Sequence, residues 1–246
     1  MANVVGRRIG GNNYYVDAGS HLMRVVDAIG PDVIKFQFNP WTMGVQAEGG
    51  TGTDSHAFTT TVVEAGTGTS ELAASNTAGI LARLICAADE NDGISIQAIG
   101  ENYELTSNQS LVYFGAQIAI NDADQTDILG GLCITDTTLL GGMTDGVYFE
   151  SMDGAASIST ITEKDSSETQ NDSVGTLSDA TFKFIEFFFD GSSVYFFIDG
   201  TQATNIHTAN IPDDEVLTPS LEFLTGEATA NTCDIRQWQV FQIGRT

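Results

Sequence analysis

Residues 182–200, FKFIEFFFDGSSVYFFIDG, constrain the fold of this chain more than any other stretch. Two aromatic-rich runs flank Asp190-Gly191-Ser192-Ser193, and β-formers broken by Asp-Gly read as a hairpin. In the second run Val194, Phe196 and Ile198 fall on one face, and Tyr195 and Phe197 on the other. A strand with bulky apolar residues on both faces must be covered on both, which places it inside a sandwich and not on a lone sheet. The expected class is all-β.

A chain of 246 residues fits one such sandwich, and a hydrophobic content of 41% can fill its core. No apolar run approaches the roughly 18 residues needed to span a bilayer, and MANVVGRRIGGNNYY lacks the apolar segment of a secretory signal. The net charge of −24 is unevenly spread. Residues 1–47 are close to neutral, with Arg7, Arg8, Arg24 and Lys35 set against Asp17, Asp27 and Asp32. The acidic remainder repels nucleic acid and anionic membranes, so neither is an expected partner. Cys86, Cys133 and Cys233 each sit in an apolar, strand-like context; odd in number and widely spaced, they read as buried free thiols made in a reducing cytosol.

Along the chain, residues 1–50 form an irregular N-terminal segment and 51–246 the sandwich. Ser20 is placed to cap a short helix carrying Leu22, Val25, Val26 and Ile29, stopped by Gly30-Pro31. Residues 33–38 alternate as a strand, and 44–56 read as a Gly- and Thr-rich loop. Strands are expected over 58–65, 79–87, 94–99, 111–120, 128–135, 147–150, 157–163, 221–225 and 233–243. Residues 164–175 are polar and read as a loop. Short strands with regular turn signals define a sandwich or barrel.

The carboxylates carry no obvious catalytic signature. A retaining glycosidase needs two carboxyl groups about 5–5.5 Å apart, and no Glu-x-Asp-x-Glu strand occurs. Glu186 and Asp190 share a face with Phe188 between them, and Glu186 reads as a rim residue reaching water. His21, His56 and His207 show no nucleophile or metal spacing. The expectation is that the chain is not an enzyme and needs no cofactor. Calcium is the one cation considered: Asp122, Asp124 and Asp127, or Asp89, Asn91 and Asp92, supply oxygen-rich loops, against the alternative of solvated acidic turns. Tyr14, Tyr15, Trp41, Tyr103 and Trp238 are the aromatics that could face a ligand; Trp238 reads as packed. Tyr14, Tyr15, Arg7, Arg8 and Trp41 are candidate partner contacts, or pack the segment onto its own sandwich.

DENDGISIQ (89–97), GLCITDTTLL (131–140), DGVYFE (145–150), DGSSVYFFIDGT (190–201), Asn210-Ile211-Pro212-Asp213-Asp214, Leu217-Thr218-Pro219-Ser220, Gly226-Glu227-Ala228 and a closing apolar strand ending in Arg245 occur in order. Together they resemble the concanavalin A-like jelly rolls of structural proteins of tailed bacteriophages, in particular head decoration, or cement, proteins. The resemblance spans about residues 57–245. It implies a homotrimer bound to the major capsid protein on the outer surface of the virion capsid, made in the host cytoplasm. Removal of residues 1–45 is then expected to abolish capsid binding while the sandwich still folds. A lectin-like module for host-surface glycans is the alternative. Head and tail positions are both compatible with such a sandwich.

Overall fold

The computed structural model describes residues 33–40, 42–45, 57–64, 68–107 and 110–244, together with the backbone of strands β1 (Val4–Ile9), β2 (Asn12–Asp17) and β3 (Met23–Asp27). It is an all-β concanavalin A-like jelly-roll sandwich. In chain order the remaining strands are β4 (Val33–Gln37), β5 (Phe58–Val63), β6 (Glu71–Ala74), β7 (Ala82–Ile85), β8 (Gly93–Ala98), β9 (Tyr103–Glu104), β10 (Leu111–Ile120) and β11 (Thr126–Cys133). They continue as β12 (Gly146–Ser151), β13 (Ser157–Lys164), β14 (Ser167–Thr176), β15 (Lys183–Phe189), β16 (Val194–Ile198), β17 (Thr201–Gln202), β18 (Val216–Thr225) and β19 (Thr232–Ile243).

The first sheet runs β17-β16-β15-β10-β19-β7-β6, with β4 also paired to β19. The second runs β14-β13-β12-β11-β18-β8-β5, with β9 also paired to β18. Strands β1, β2 and β3 form a separate antiparallel sheet.

Strict alternation builds the core. Phe114, Ala116, Phe187, Phe189, Phe196, Trp238 and Val240 of the first sheet meet Ile94, Ile96, Leu132, Val147, Phe149, Leu221 and Phe223 of the second. Phe149 packs edge-on against Phe196 at 5.1 Å, and Phe58 stacks on Trp238 at 5.7 Å, so aromatic pairs bridge the sheets at two places. A bulge in β19 at Arg236, opposite Gln117 and Ile118 of β10, puts both Ile235 and Trp238 into the core despite their odd spacing.

The expected hairpin is present: β15 pairs with β16, Phe187 opposite Phe196. As expected, Val194 and Phe196 lie in the inter-sheet core while Phe197 lies in a cluster on the other side. All three cysteines are buried and free.

Several expectations are corrected. Over 20–29, where a helix was expected, residues 23–27 are strand β3. β-Branched Val25 and Val26 suit a pleated strand, and pairing with β2 satisfies the backbone that a short helix would satisfy only marginally. The expected loop at 164–175 contains β14, an exposed edge strand joined to β13 by a tight turn in which Asp165 and Ser166 both take positive φ, 51° and 60°. Tyr103, one of the aromatics that could face a ligand, is buried. β4 belongs to the sandwich: Phe36 packs against Trp238 at 4.9 Å and Phe38 against Phe58 at 5.8 Å. A deletion to residue 45 would therefore take two aromatics out of the core. Trp41, His21, His56 and most of 44–56 lie outside the described residues.

Candidate functional site

The outer face of the second sheet is polar and acidic, and it follows from register. Leu129 of β11 lies between Glu222 of β18 and Glu150 of β12. One row along, Gly131 pairs with Tyr148, which pairs with Ile161 of β13. In the next row Gly146 pairs with Glu163, which pairs with Glu168 of β14. Glu150, Tyr148, Glu163 and Glu168 thus emerge side by side on one face. At Gly131 an added Cβ would lie 2.6 Å from the Tyr148 Cβ, so glycine is what lets the tyrosine sit against β11.

A strap of chain, 134–145, crosses this face. Leu139 and Met143 are seated in an apolar patch of Leu129, Cys133, Tyr148 and Ile161. Its backbone is tied down by side chains of the sheet and of the adjoining loop. The Leu140 N–H donates to Glu222 Oε2 at 2.7 Å, the Asp136 N–H to Gln97 Oε1 at 3.0 Å, and the Thr135 N–H to Glu101 Oε1 at 2.8 Å. Gln97 Nε2 in turn donates to the Ile134 carbonyl at 2.9 Å.

Between strap and sheet lies a cleft of about 260 Å³, lined by Leu139, Gly141, Gly142, Met143, Tyr148, Glu150, Glu163, Ser166 and Glu168. The Tyr148 hydroxyl donates to Glu163 Oε2 at 3.0 Å. Burial, then the charges of Glu168, Asp127 and Asp172, raises the Glu150 pKa. Burial likewise raises Glu163, opposed by the Tyr148 hydrogen bond and reinforced by Glu168, Asp145 and Glu150. Under the strap, burial lifts Glu222 to about 7, although the Leu140 hydrogen bond favours its charged form. Carboxyls held above their ordinary range can accept hydrogen bonds from hydroxyl-rich ligands, and their protonated fraction can donate a proton.

A larger hollow of about 330 Å³ lies beside the 190–193 turn, lined in part by Lys164, Ser192, Asn210 and Asp213. Its lysine is already held by Asp213 and Asp214. The acidic cleft, with its aligned carboxyls, is the better candidate.

The residues singled out from sequence fall elsewhere. Asp122 and Asp124 share one turn, where partial desolvation, then the hydrogen bond and charge of Asp124, then Glu227 and Asp179, raise Asp122. Asp127 points away into β11, is buried, and accepts the Asp153 N–H at 2.6 Å. Asp92 is buried and accepts the Asp89 N–H at 3.3 Å, closing its own turn. Among the described residues no group of three or more His, Cys, Asp or Glu could hold a metal ion. Glu186 is fully buried, not a rim residue, and accepts the Tyr113 hydroxyl at 2.7 Å. Arg7 and Tyr14 pair across β1 and β2, as do Arg8 with Asn13 and Gly6 with Tyr15.

One sign of the cleft was legible: Glu163 and Glu168 stand symmetrically about Asp165-Ser166, the spacing of a two-residue hairpin. Reading 164–175 as a loop hid it.

No protein-family model and no curated protein matches the sequence. Solved structures do. An endo-1,3-β-glucanase from Streptomyces sioyaensis aligns with a TM-score of 0.54 and 11% identity, over 89% of this chain and 100% of that one. A protein of unknown function from Shewanella oneidensis aligns at 0.54 and 14%, over 89% and 90%. A glycosidic hydrolase aligns at 0.52 and 12%, over 89% and 99%. At such identities the likeness establishes the sandwich fold. It also overturns the expectation that the chain is not an enzyme, because two of these proteins are enzymes built on the same fold over nearly their whole length. The missing Glu-x-Asp-x-Glu strand was too narrow a test, since pairing across β12, β13 and β14 gathers carboxyls from different strands.

Proposed function

We propose that the chain is a glycan-recognising β-sandwich whose sugar site is the cleft between the 134–145 strap and strands β12–β14. The observation that supports this is the 260 Å³ cleft in which Tyr148 stands among Glu150, Glu163 and Glu168. Several carboxyl acceptors beside a tyrosine hydroxyl suit the hydroxyl edge of a sugar. A net charge of −24 disfavours polyanionic polysaccharides, so neutral or amino-bearing glycans are the expected class. The test is a binding and turnover screen on neutral oligosaccharides. Wild type should bind, and Glu150→Gln with Glu163→Gln should weaken binding by tenfold or more; product formation would extend the reading to hydrolysis. Unchanged affinity in the double variant would remove the cleft from consideration.

A second reading, the capsid decoration protein, is favoured by the separate β1-β2-β3 sheet, a candidate contact element outside the sandwich pairings. In it the protein sits on the outer capsid surface as a homotrimer on the major capsid protein. Deleting residues 1–30, which spares Phe36 and Phe38, should then leave a folded sandwich that no longer binds capsids. Retained decoration by that truncation would rule the N-terminal contact out.

A further inference from the structure

The strap 134–145 is pinned at both ends and tied down lightly between them. At its start, Gln97 holds the Asp136 N–H and the Ile134 carbonyl, and Glu101 holds the Thr135 N–H. At its end, the Ile134 N–H donates to the Asp145 carbonyl at 3.1 Å and the Ser166 N–H to the Thr144 carbonyl at 2.9 Å, while the buried Asp145 carboxylate accepts the Asp165 N–H at 3.0 Å. In the middle, Thr137, Thr138, Gly141 and Gly142 are exposed. Among the described residues, this stretch reaches the sheet through the side chains of Leu139 and Leu140 and through one hydrogen bond, from the Leu140 N–H to Glu222 Oε2. Its backbone is not a regular helix: Leu140 has ψ of 117°, and Gly141 takes a positive φ of 76°. A segment with few buried contacts and a single polar tie is the part of a fold that opens locally.

The polar tie is itself under tension. Glu222 is 3% exposed. It stands in register with Ser95 of β8 on one side and Leu129 of β11 on the other. The ionisable groups that face it are Asp127 and Cys133 of β11, Asp136 of the strap and, beyond Leu129, Glu150 of β12, each of them neutral or negative. Among the described residues no Lys or Arg forms an ion pair with it. A buried carboxylate with one N–H donor and acidic neighbours is costly to charge. It is accommodated as the neutral acid while the strap is down, and it ionises readily once the strap lifts and water enters. Its raised pKa of about 7 has the same cause, burial outweighing the Leu140 hydrogen bond. Loss of its proton thus works against the closed strap.

We infer that the middle of the strap is a gate over the acidic cleft, latched by Glu222 in its protonated form and released when that proton is lost. Leu139, Gly141 and Gly142, the residues that lift, form one wall of the cleft, so opening widens it without unpairing the sheet. The gate governs access to the cleft and is independent of what the cleft binds.

Cys133 is the natural reporter, because it is buried in the patch beneath Leu139 and Met143, whereas Cys86 and Cys233 lie in the inter-sheet core. The test labels the full chain with iodoacetamide, without any sugar, at a series of pH values, and reads each cysteine by mass spectrometry. Each rate is divided by that of the same cysteine in the denatured chain at the same pH. Cys133 should label faster than both core thiols at every pH. For a carboxyl that goes from about 7 in the closed state to an ordinary 4.5 in the open one, its normalised rate should rise about tenfold between pH 6 and pH 8. Glu222→Gln, which keeps an acceptor for the Leu140 N–H, should abolish that rise. Leu139→Ala, which loosens the strap without touching Glu222, should speed Cys133 labelling at pH 6 and leave Cys86 and Cys233 protected. Cys133 labelling no faster than the core thiols would make the opening global and overturn the gate. A flat profile in the wild type, or a rise that survives Glu222→Gln, would overturn the latch.

Discussion

The two outer faces of the sandwich are built by the same alternation and have opposite character. That of the first sheet is aromatic and sealed: Tyr113, Phe188, Phe197 and Phe241 are buried although they point away from the core. That of the second is acidic and only partly roofed: the strap covers Leu129 and Cys133 but leaves a cleft at Tyr148, Glu150, Glu163 and Glu168. Inner faces are interchangeable in kind, since any close-packed apolar set holds two sheets together. Outer faces are not, and here one is spent on stability while the other keeps carboxyls in a state that stability alone would not select.

The largest effect that could break this contrast is a cavity on the first face. Phe197→Ala should destabilise by about 3–5 kcal/mol, the range for a core phenylalanine, and so match Phe187→Ala in denaturant unfolding. A cost typical of a surface residue would show that the face is open.

Next is pH. The Glu222 carboxyl has a folded pKa of about 7 against an ordinary 4.5, so the folded state binds the extra proton. Its contribution is complete below about pH 4.5 and is lost as pH rises to 7, for a fall of about 3 kcal/mol. Burial raises Asp127, Glu150 and Glu163 in the same direction. His207 works oppositely. It is buried between Thr160 and Thr162, and desolvation lowers it to about 4, so stability is lost as pH falls from 6.5 toward 4. Unfolding midpoints followed from pH 4 to 8 should peak between these limits. Glu222→Gln, which keeps an acceptor for the Leu140 N–H, should flatten the alkaline side; an unchanged profile would separate Glu222 from the slope.

A smaller effect sharpens the comparison of the two buried tyrosines. Tyr113→Phe strips a donor from the fully buried Glu186 and should cost about 1.5–3 kcal/mol, whereas Tyr148→Phe, beside a cleft that water can enter, should cost about 1. Equal costs in paired denaturation curves would mean the two faces are equally dry. Smallest is Lys183→Met, which removes an exposed ion pair with Asp199 and should change stability by less than about 1 kcal/mol.

The sandwich was legible because its signals are local. The 182–200 hairpin, the 111–120 strand and the 233–243 strand announce themselves by aromatic and β-branched alternation. β14 was not legible, because SETQNDSVGT has no apolar face to show; it is held by pairing to β13, a non-local fact. Glu186 was misplaced for a related reason: alternation fixes which side of the sheet it takes, while only the tertiary cover decides whether that side meets water. The cleft assembles from β12, β13, β14 and the strap, so no single window of sequence contains it.

Hydrogen exchange of the full chain, with and without a neutral oligosaccharide, tests the glycan site most directly. Slowed exchange at 134–151 and 157–168, absent in the Glu150→Gln, Glu163→Gln variant, is the expected result. Unaltered exchange there across a panel of neutral and amino sugars, or protection confined to β15, β16 and β19, would contradict it.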